Sequence, residues 1–267
     1  MNLFVEGLQG MGKSTLLQKL VQKYPEYHAY REGDYCPIEL AWCTYMTSNE
    51  YEAALEKYTA TRAEIERWTT KEGDKYIVAY TRIITDEPGF HKYMEQFEIY
   101  QGTRDVRAFM DIVLQRYANL PTGKAGNLFE CAFFQNIIEE LMLYGLLTDD
   151  EICGFYRKLF EVIAGKDFFL FYLYSEEIEE TLMQIRRERA DANGEEMWYP
   201  LLLRFLAESP YGKLHGFAGF EDVVAHLRHR QELEMRMIRE VLGERVKVLP
   251  AKQYTDADLK IDNSWIM

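Results

Sequence analysis

Residues 1–20 read MNLFVEGLQGMGKSTLLQKL. Residues 2–6 are short and apolar at Leu3, Phe4 and Val5, the pattern of a buried strand. Residues 7–14, GLQGMGKS, satisfy G-x-x-x-x-G-K-[ST] through Gly7, Gly12, Lys13 and Ser14. Residues 15–23 continue with Leu16, Leu17, Leu20 and Val21 on one helical face. A strand, a glycine turn and a helix in that order is the setting a phosphate-binding loop requires. The glycines let backbone N–H groups converge into an anion nest, and the helix adds the positive end of its dipole. Lys13 can bring a mobile charge to the β- and γ-phosphates, and the Ser14 hydroxyl can take a Mg²⁺ position. The expected binding set for ATP and Mg²⁺ is Gly7, Gly10, Gly12, Lys13, Ser14 and Thr15.

Outward from that stretch, 267 residues with 48% hydrophobic content suffice for one large α/β domain, or one domain with insertions. A net charge of −13 argues against a nucleic-acid polymer or an anionic membrane as partner, so a phosphate site must be a local basic pocket. Cys36, Cys43, Cys131 and Cys153 form no C-x-x-C pair and signal neither zinc nor redox chemistry. Reduced thiols, a strand starting at the second residue and no membrane-length apolar run predict a cytoplasmic protein.

Along the chain, residues 27–31 predict a second strand, followed by Glu32-Gly33-Asp34. Residues 37–46 predict a short helix carrying Trp42, and Ser48 a cap for a helix running to about residue 70. Residues 76–84 predict a third extended segment, and 91–120 a helical stretch interrupted near Gly102. A loop is expected at 121–126, then a short central strand, Asn127-Leu128-Phe129-Glu130. Residues 132–147 predict an apolar helix that could serve a homodimer as well as a core, and Thr148 caps the next. Residues 167–174, DFFLFYLY, are the clearest buried strand. Helices at 175–190, 198–208 and 220–243 follow, with a loop at 191–194 and an irregular stretch at 209–219. A last strand at 245–249 precedes a polar tail carrying Trp265. Strands separated by helices, without consecutive hairpins, predict a doubly wound parallel sheet covered on both faces.

Four stretches resemble the thymidylate kinase and deoxynucleoside kinase group of small P-loop kinases. VEGLQGMGKST (5–15) is similar to their first strand and loop. Tyr30-Arg31-Glu32-Gly33 is similar to the Arg-Glu or Glu-Pro element after their second strand, and Leu128-Phe129-Glu130 to their central strand ending in a carboxylate. Residues 167–189 resemble a strand, a helix and an Arg-rich lid, here IRRER. The resemblance implies about five parallel strands with helices on both faces. It also implies a single kinase domain over 1–267, with an insertion at about 39–120 and a lid at about 185–197. Two departures stand out: Glu130 is followed by Cys131-Ala132 where the family has Arg, and the segment before the central strand is long.

The implied reaction is Mg²⁺-dependent phosphoryl transfer from ATP to a small acceptor, a nucleoside or nucleoside monophosphate. The alternatives are a non-nucleotide acceptor, favoured by the two departures, or an ATP-binding switch without acceptor. In the implied roles Glu32 takes the acceptor's proton or orients it, with Asp34 close enough to share the task. Glu130 holds Mg²⁺ through water, complementing Ser14. Arg186, Arg187 and Arg189 close over the phosphates, with Arg187 and Arg189 ahead of Arg186, for which a solvent-facing position is the alternative. Arg82 and Arg104 are candidates for the missing acceptor clamp, and Trp42, Tyr45 and Tyr80 for base stacking, against a core role. Asp86-Glu87-Pro88-Gly89 reads as a turn, and His226 with His229 as part of a solvated helix face.

Overall fold

The computed structural model describes residues 1–122, 126–191 and 193–260. Parts of the loops expected at 121–126 and 191–194, and the tail with Trp265, lie outside them. The chain divides into two compact units, one formed by Met1–Ala29 with Pro121–Met267, the other by Tyr30–Leu120. The second takes in the segment 39–120 and begins before it.

In the first unit, β1 (Asn2–Gly7) leads through the glycine turn into α1 (Lys13–Lys23), and β2 (His28–Tyr30) follows, its last residue being the first of the second unit. The second unit holds α2 (Ser48–Lys57), α3 (Arg62–Arg67), β3 (Thr69–Glu72), β4 (Lys75–Val78), α4 (Phe90–Glu95) and α5 (Val106–Ala118). The chain returns through β5 (Asn127–Glu130), α6 (Gln135–Glu139, continued by a π turn over Glu140–Tyr144), α7 (Asp149–Ile163) and β6 (Phe168–Tyr174). It ends in α8 (Ile178–Glu188), α9 (Trp198–Glu208), α10 (Pro210–His215), α11 (Phe220–Met237) and β7 (Val246–Pro250).

The five-stranded parallel sheet has the order β2-β5-β1-β6-β7, so the first strand is central. β1 pairs with β5 through Val5 opposite Glu130, and with β6 through Gly7 opposite Leu173. The glycine turn therefore leaves the middle of the sheet at its carboxyl edge, where open α/β sheets place ligands. Both faces are buried, which is why β1 and β6 read as continuous apolar runs rather than alternating ones. Leu3 and Val5 pack with Leu16, Leu17, Leu20, Phe169 and Phe171. Phe4 lies on the other face, stacked on Phe129 at 5.2 Å and edge-on to Phe133 and Phe168.

The second unit departs from the sequence reading in four places. The extended segment expected over 76–84 ends early, because β4 stops at Val78 and Tyr80–Arg82 forms a 3₁₀ turn. β3 and β4 form an antiparallel hairpin outside the main sheet, turning at Gly73 with φ 59°, so the expectation of no consecutive hairpins fails there. Residues 37–46 are not helical: the N–H groups of Thr44, Tyr45 and Met46 donate to the distant carbonyls of Val78, Phe97 and Tyr76, and that of Ala41 to the Glu39 carboxylate, instead of to a helical ladder. The helix expected from Ser48 to about residue 70 is two helices broken at Tyr58–Thr61, and its cap is Thr47, whose side chain accepts from the Glu50 N–H in a capping box. The core here gathers Met46, Tyr51, Leu55, Ile65, Phe90 and Met94.

In the first unit, residues 209–219 hold the short helix α10, capped by Ser209. No helix among the described residues is long and apolar enough to cross a membrane.

Candidate active site

The glycine turn builds the site. Gly7, Gly10 and Gly12 all have positive φ (137°, 78° and 91°), which side chains with a Cβ adopt only under strain. A Cβ on Gly7 would meet the Leu173 carbonyl oxygen at 2.6 Å, and one on Gly10 the Ile185 Cδ1 at 1.8 Å. The turn is thus pressed between β6 and α8, and only glycine fits. α1 opens with no side-chain cap and no acid in its first turn. Its first N–H groups and dipole are left for an anion.

Lys13 is buried, and its Nζ donates to the carbonyls of Gly7 (2.8 Å) and Leu8 (2.9 Å) and to Gln135 Oε1 (2.9 Å). The ammonium thus lies inside the curl of the loop. Exposed Ser14 donates its hydroxyl to Glu130 Oε1 at 2.5 Å, joining the first turn of α1 to the end of β5. Thr15 is exposed one residue on. One hydroxyl and one carboxylate are hard oxygen donors of the number Mg²⁺ takes from protein when phosphates and water complete its shell. Among the described residues no group of three or more His, Cys, Asp or Glu could hold a metal by itself.

Behind the loop, Glu6 is fully buried, and burial pushes its carboxyl up to about 8 against the backbone N–H of Phe133 and the charge of Lys13. Its oxygens accept from the N–H groups of Phe133 (2.7 Å) and Gln135 (3.4 Å), fixing the turn that brings Gln135 to Lys13. Gln135 was not legible as a site residue, because a lone Gln in an apolar helix carries no motif.

The arginines of α8 divide. Arg186 is half-buried: it forms a fork with Glu196 at 2.8 and 3.0 Å and lies 4.2 Å above the Tyr199 ring and 5.2 Å from that of Phe220. Arg187 is exposed, and Arg189 is exposed over the Trp198 ring at 5.0 Å. His226 is not part of a solvated face. It is buried, with Nε2 2.8 Å from Glu139, while His229 lies 2.9 Å from Asp149.

Glu32 and Asp34 belong to the other unit. Glu32 is exposed, and its carboxylate accepts from the Trp42 indole N–H at 3.2 Å. Trp42 is 42% exposed with φ 65°, a left-handed conformation uncommon for a large side chain. Asp34 pairs with Arg82 at 2.5 Å, which commits that arginine. Tyr80 is core, donating to buried Glu98 at 2.6 Å. All four cysteines are buried free thiols.

No protein-family model matches the chain, and no curated protein matches it. Among solved structures it is similar to deoxyadenosine kinase from M. mycoides with bound dATP, at 13% identity and TM-score 0.36, over 97% of this chain and 95% of that one. The strand order β2-β5-β1-β6-β7 and the parallel pairing of β1 with β5 and β6 define the fold independently of that distant likeness.

Proposed function

We propose that the chain is a P-loop kinase that moves the γ-phosphoryl group of ATP, with Mg²⁺, to a small acceptor, a nucleoside or nucleoside monophosphate in the first place. The observation that carries this reading is the Ser14–Glu130 contact beside a Lys13 ammonium held inside the glycine loop. Phosphoryl transfer asks for positioning and charge neutralisation more than for covalent chemistry. In this reading the loop N–H groups and Lys13 bind the β- and γ-phosphates. Ser14 and, through water, Glu130 would hold Mg²⁺, which would supply charge neutralisation to the phosphates. Arg187 and Arg189 cover the transferring group and exclude water. Glu32, just beyond β2, takes the acceptor's proton.

A second acceptor class has its own support. Where the resembling kinases have Arg after the central carboxylate, this chain has Cys131, 1% exposed with φ 57°. A position so enclosed offers no charged clamp, which favours a non-nucleotide hydroxyl compound as the alternative acceptor. Incubation with γ-labelled ATP, Mg²⁺ and a panel of nucleosides, nucleoside monophosphates and other small alcohols tests both. Label on a nucleoside or nucleotide supports the first reading, and label only on another compound supports the second. ATP binding without transfer to any of them contradicts both and leaves an ATP-binding switch.

A further inference from the structure

Among the described residues Arg230 is the largest fully buried side chain, and nothing in the proposed chemistry uses it. It lies on α11 at 0% exposure, with Nη1 donating to Glu139 Oε1 and Nε 3.1 Å from Glu234 Oε1. Glu139 also meets His226, and Glu234 accepts from the Tyr172 hydroxyl at 2.6 Å. Burial raises the Glu139 carboxyl, but the charges of His226 and Arg230 outweigh it and hold the group down to about 2. A further nitrogen of the guanidinium reaches out of this cluster: Nη2 donates to Gln9 Oε1 at 2.9 Å. Gln9 is the third residue of the glycine loop.

A buried ion cluster is a poor way to gain stability, since well-packed apolar residues of the same volume do as well or better. What the cluster does provide is a fixed donor aimed at the loop. α11 makes further ties around it. Gln231 exchanges two hydrogen bonds with Ser175, at 2.9 and 3.3 Å, just beyond β6, and Phe220 lies under Arg186 of α8. One helix is thereby fastened to the loop, to the strand end beside it and to the helix that carries Arg187 and is capped by Arg189.

We propose that Arg230 is a positioning residue of the phosphate loop: through Gln9 it holds the loop in the curl that receives the triphosphate. This rests on the reading of residues 7–14 as a triphosphate site. Arg230 touches no phosphate itself. Its guanidinium fixes the side chain of Gln9, which sets the orientation of the loop N–H groups before the ligand arrives.

The test measures binding of Mg²⁺·ATP and of Mg²⁺·tripolyphosphate by calorimetric titration, with a melting temperature for each variant. The variants are Gln9→Met, Arg230→Met and the double substitution. Gln9→Met keeps the length of the side chain and removes the acceptor. It is expected to bind both ligands about tenfold more weakly, the scale of one hydrogen bond to a charged group. Its melting temperature should fall by no more than about 8 °C, the scale of one buried donor left without its acceptor, so that the variant remains folded at the temperature of the titration. Arg230→Met should lose at least as much affinity, and adding Gln9→Met to it should cost nothing more, because the two act as one unit.

Wild-type affinity in Gln9→Met overturns the proposal, as does a loss confined to ATP or losses that multiply in the double variant. Should Arg230→Met not fold, Gln9→Met decides alone by the same tenfold criterion. Failure of the wild-type protein to bind either ligand would instead remove the phosphate-loop reading beneath it.

Discussion

Lys13 carries the heaviest load of any side chain in the site. Its three acceptors are two loop carbonyls and Gln135, all positions that a γ-phosphate could compete for. Lys13→Ala is predicted to lower labelled phosphoryl transfer at least ~100-fold, the scale of one removed transition-state donor. The melting temperature should move by no more than about 5 °C, since the lost bonds are each worth about 1 kcal/mol net. Near-wild-type transfer by that variant would take Lys13 out of the mechanism. At the same scale, burial pushes the carboxyls of Glu6 and Glu98 up to about 8 and that of Glu39 up to about 7. In the unfolded chain such groups ionise near 4.5. Between those values the folded state holds protons the unfolded state has released, so stability is fully present below pH 4.5 and falls as pH rises towards 8. Glu98→Gln keeps an acceptor for the Tyr80 hydroxyl and removes one such proton. Denaturant midpoints at pH 5.5, 7 and 8.5 should therefore fall less steeply for this variant than for wild type. An unchanged slope would mean that Glu98 is ionised in the fold.

At the level of elements, the loop and α8 are fitted to each other. Gly10→Ala combines a left-handed φ of 78° with a collision against Ile185. It should cost about 1–3 kcal/mol in denaturant unfolding. Trimming Ile185 to Ala in that background should relieve the collision but not the backbone strain, so recovery should be partial; no cost for Gly10→Ala would show that the loop is not packed as described. Thr148→Ala removes the cap of α7, where Thr148 and Glu151 satisfy each other's N–H groups, and should cost about 1 kcal/mol. That cap was plain in the sequence, as were β1, β6 and α9, because uniform apolar runs or one apolar stripe between clear breakers leave little choice. The hairpin of β3 and β4 was not legible as a pair: Lys71, Glu72 and Lys75 dilute any alternation, and its partners come from tertiary contacts such as Met46 with Tyr76. Residues 37–46 failed for the same reason, their N–H groups being claimed by distant carbonyls. Arg230 and His226 were hidden because a helix rich in charge reads as solvated, and only the fold shows that one face of α11 is buried against Glu139 and Gln9.

For the whole molecule, a net charge of −13 makes a locally basic, glycine-lined turn conspicuous. At that turn a polyanion gains several donors at once. The order β2-β5-β1-β6-β7 sets that turn at the centre of the carboxyl edge, with Glu130 from one neighbouring strand and Leu173 from the other beside it. The kinase reading depends on this arrangement binding a nucleotide triphosphate through a metal. The most direct measurement titrates ATP into wild type and Glu130→Ala, each with Mg²⁺ and with EDTA. The account predicts one site per chain in wild type, tighter with Mg²⁺, and loss of the Mg²⁺ increment in Glu130→Ala with the metal-free affinity retained. Absence of binding by wild type at about 1 mM ATP, the upper end of ordinary substrate affinities, would contradict it, and so would a Mg²⁺ increment that survives the loss of Glu130.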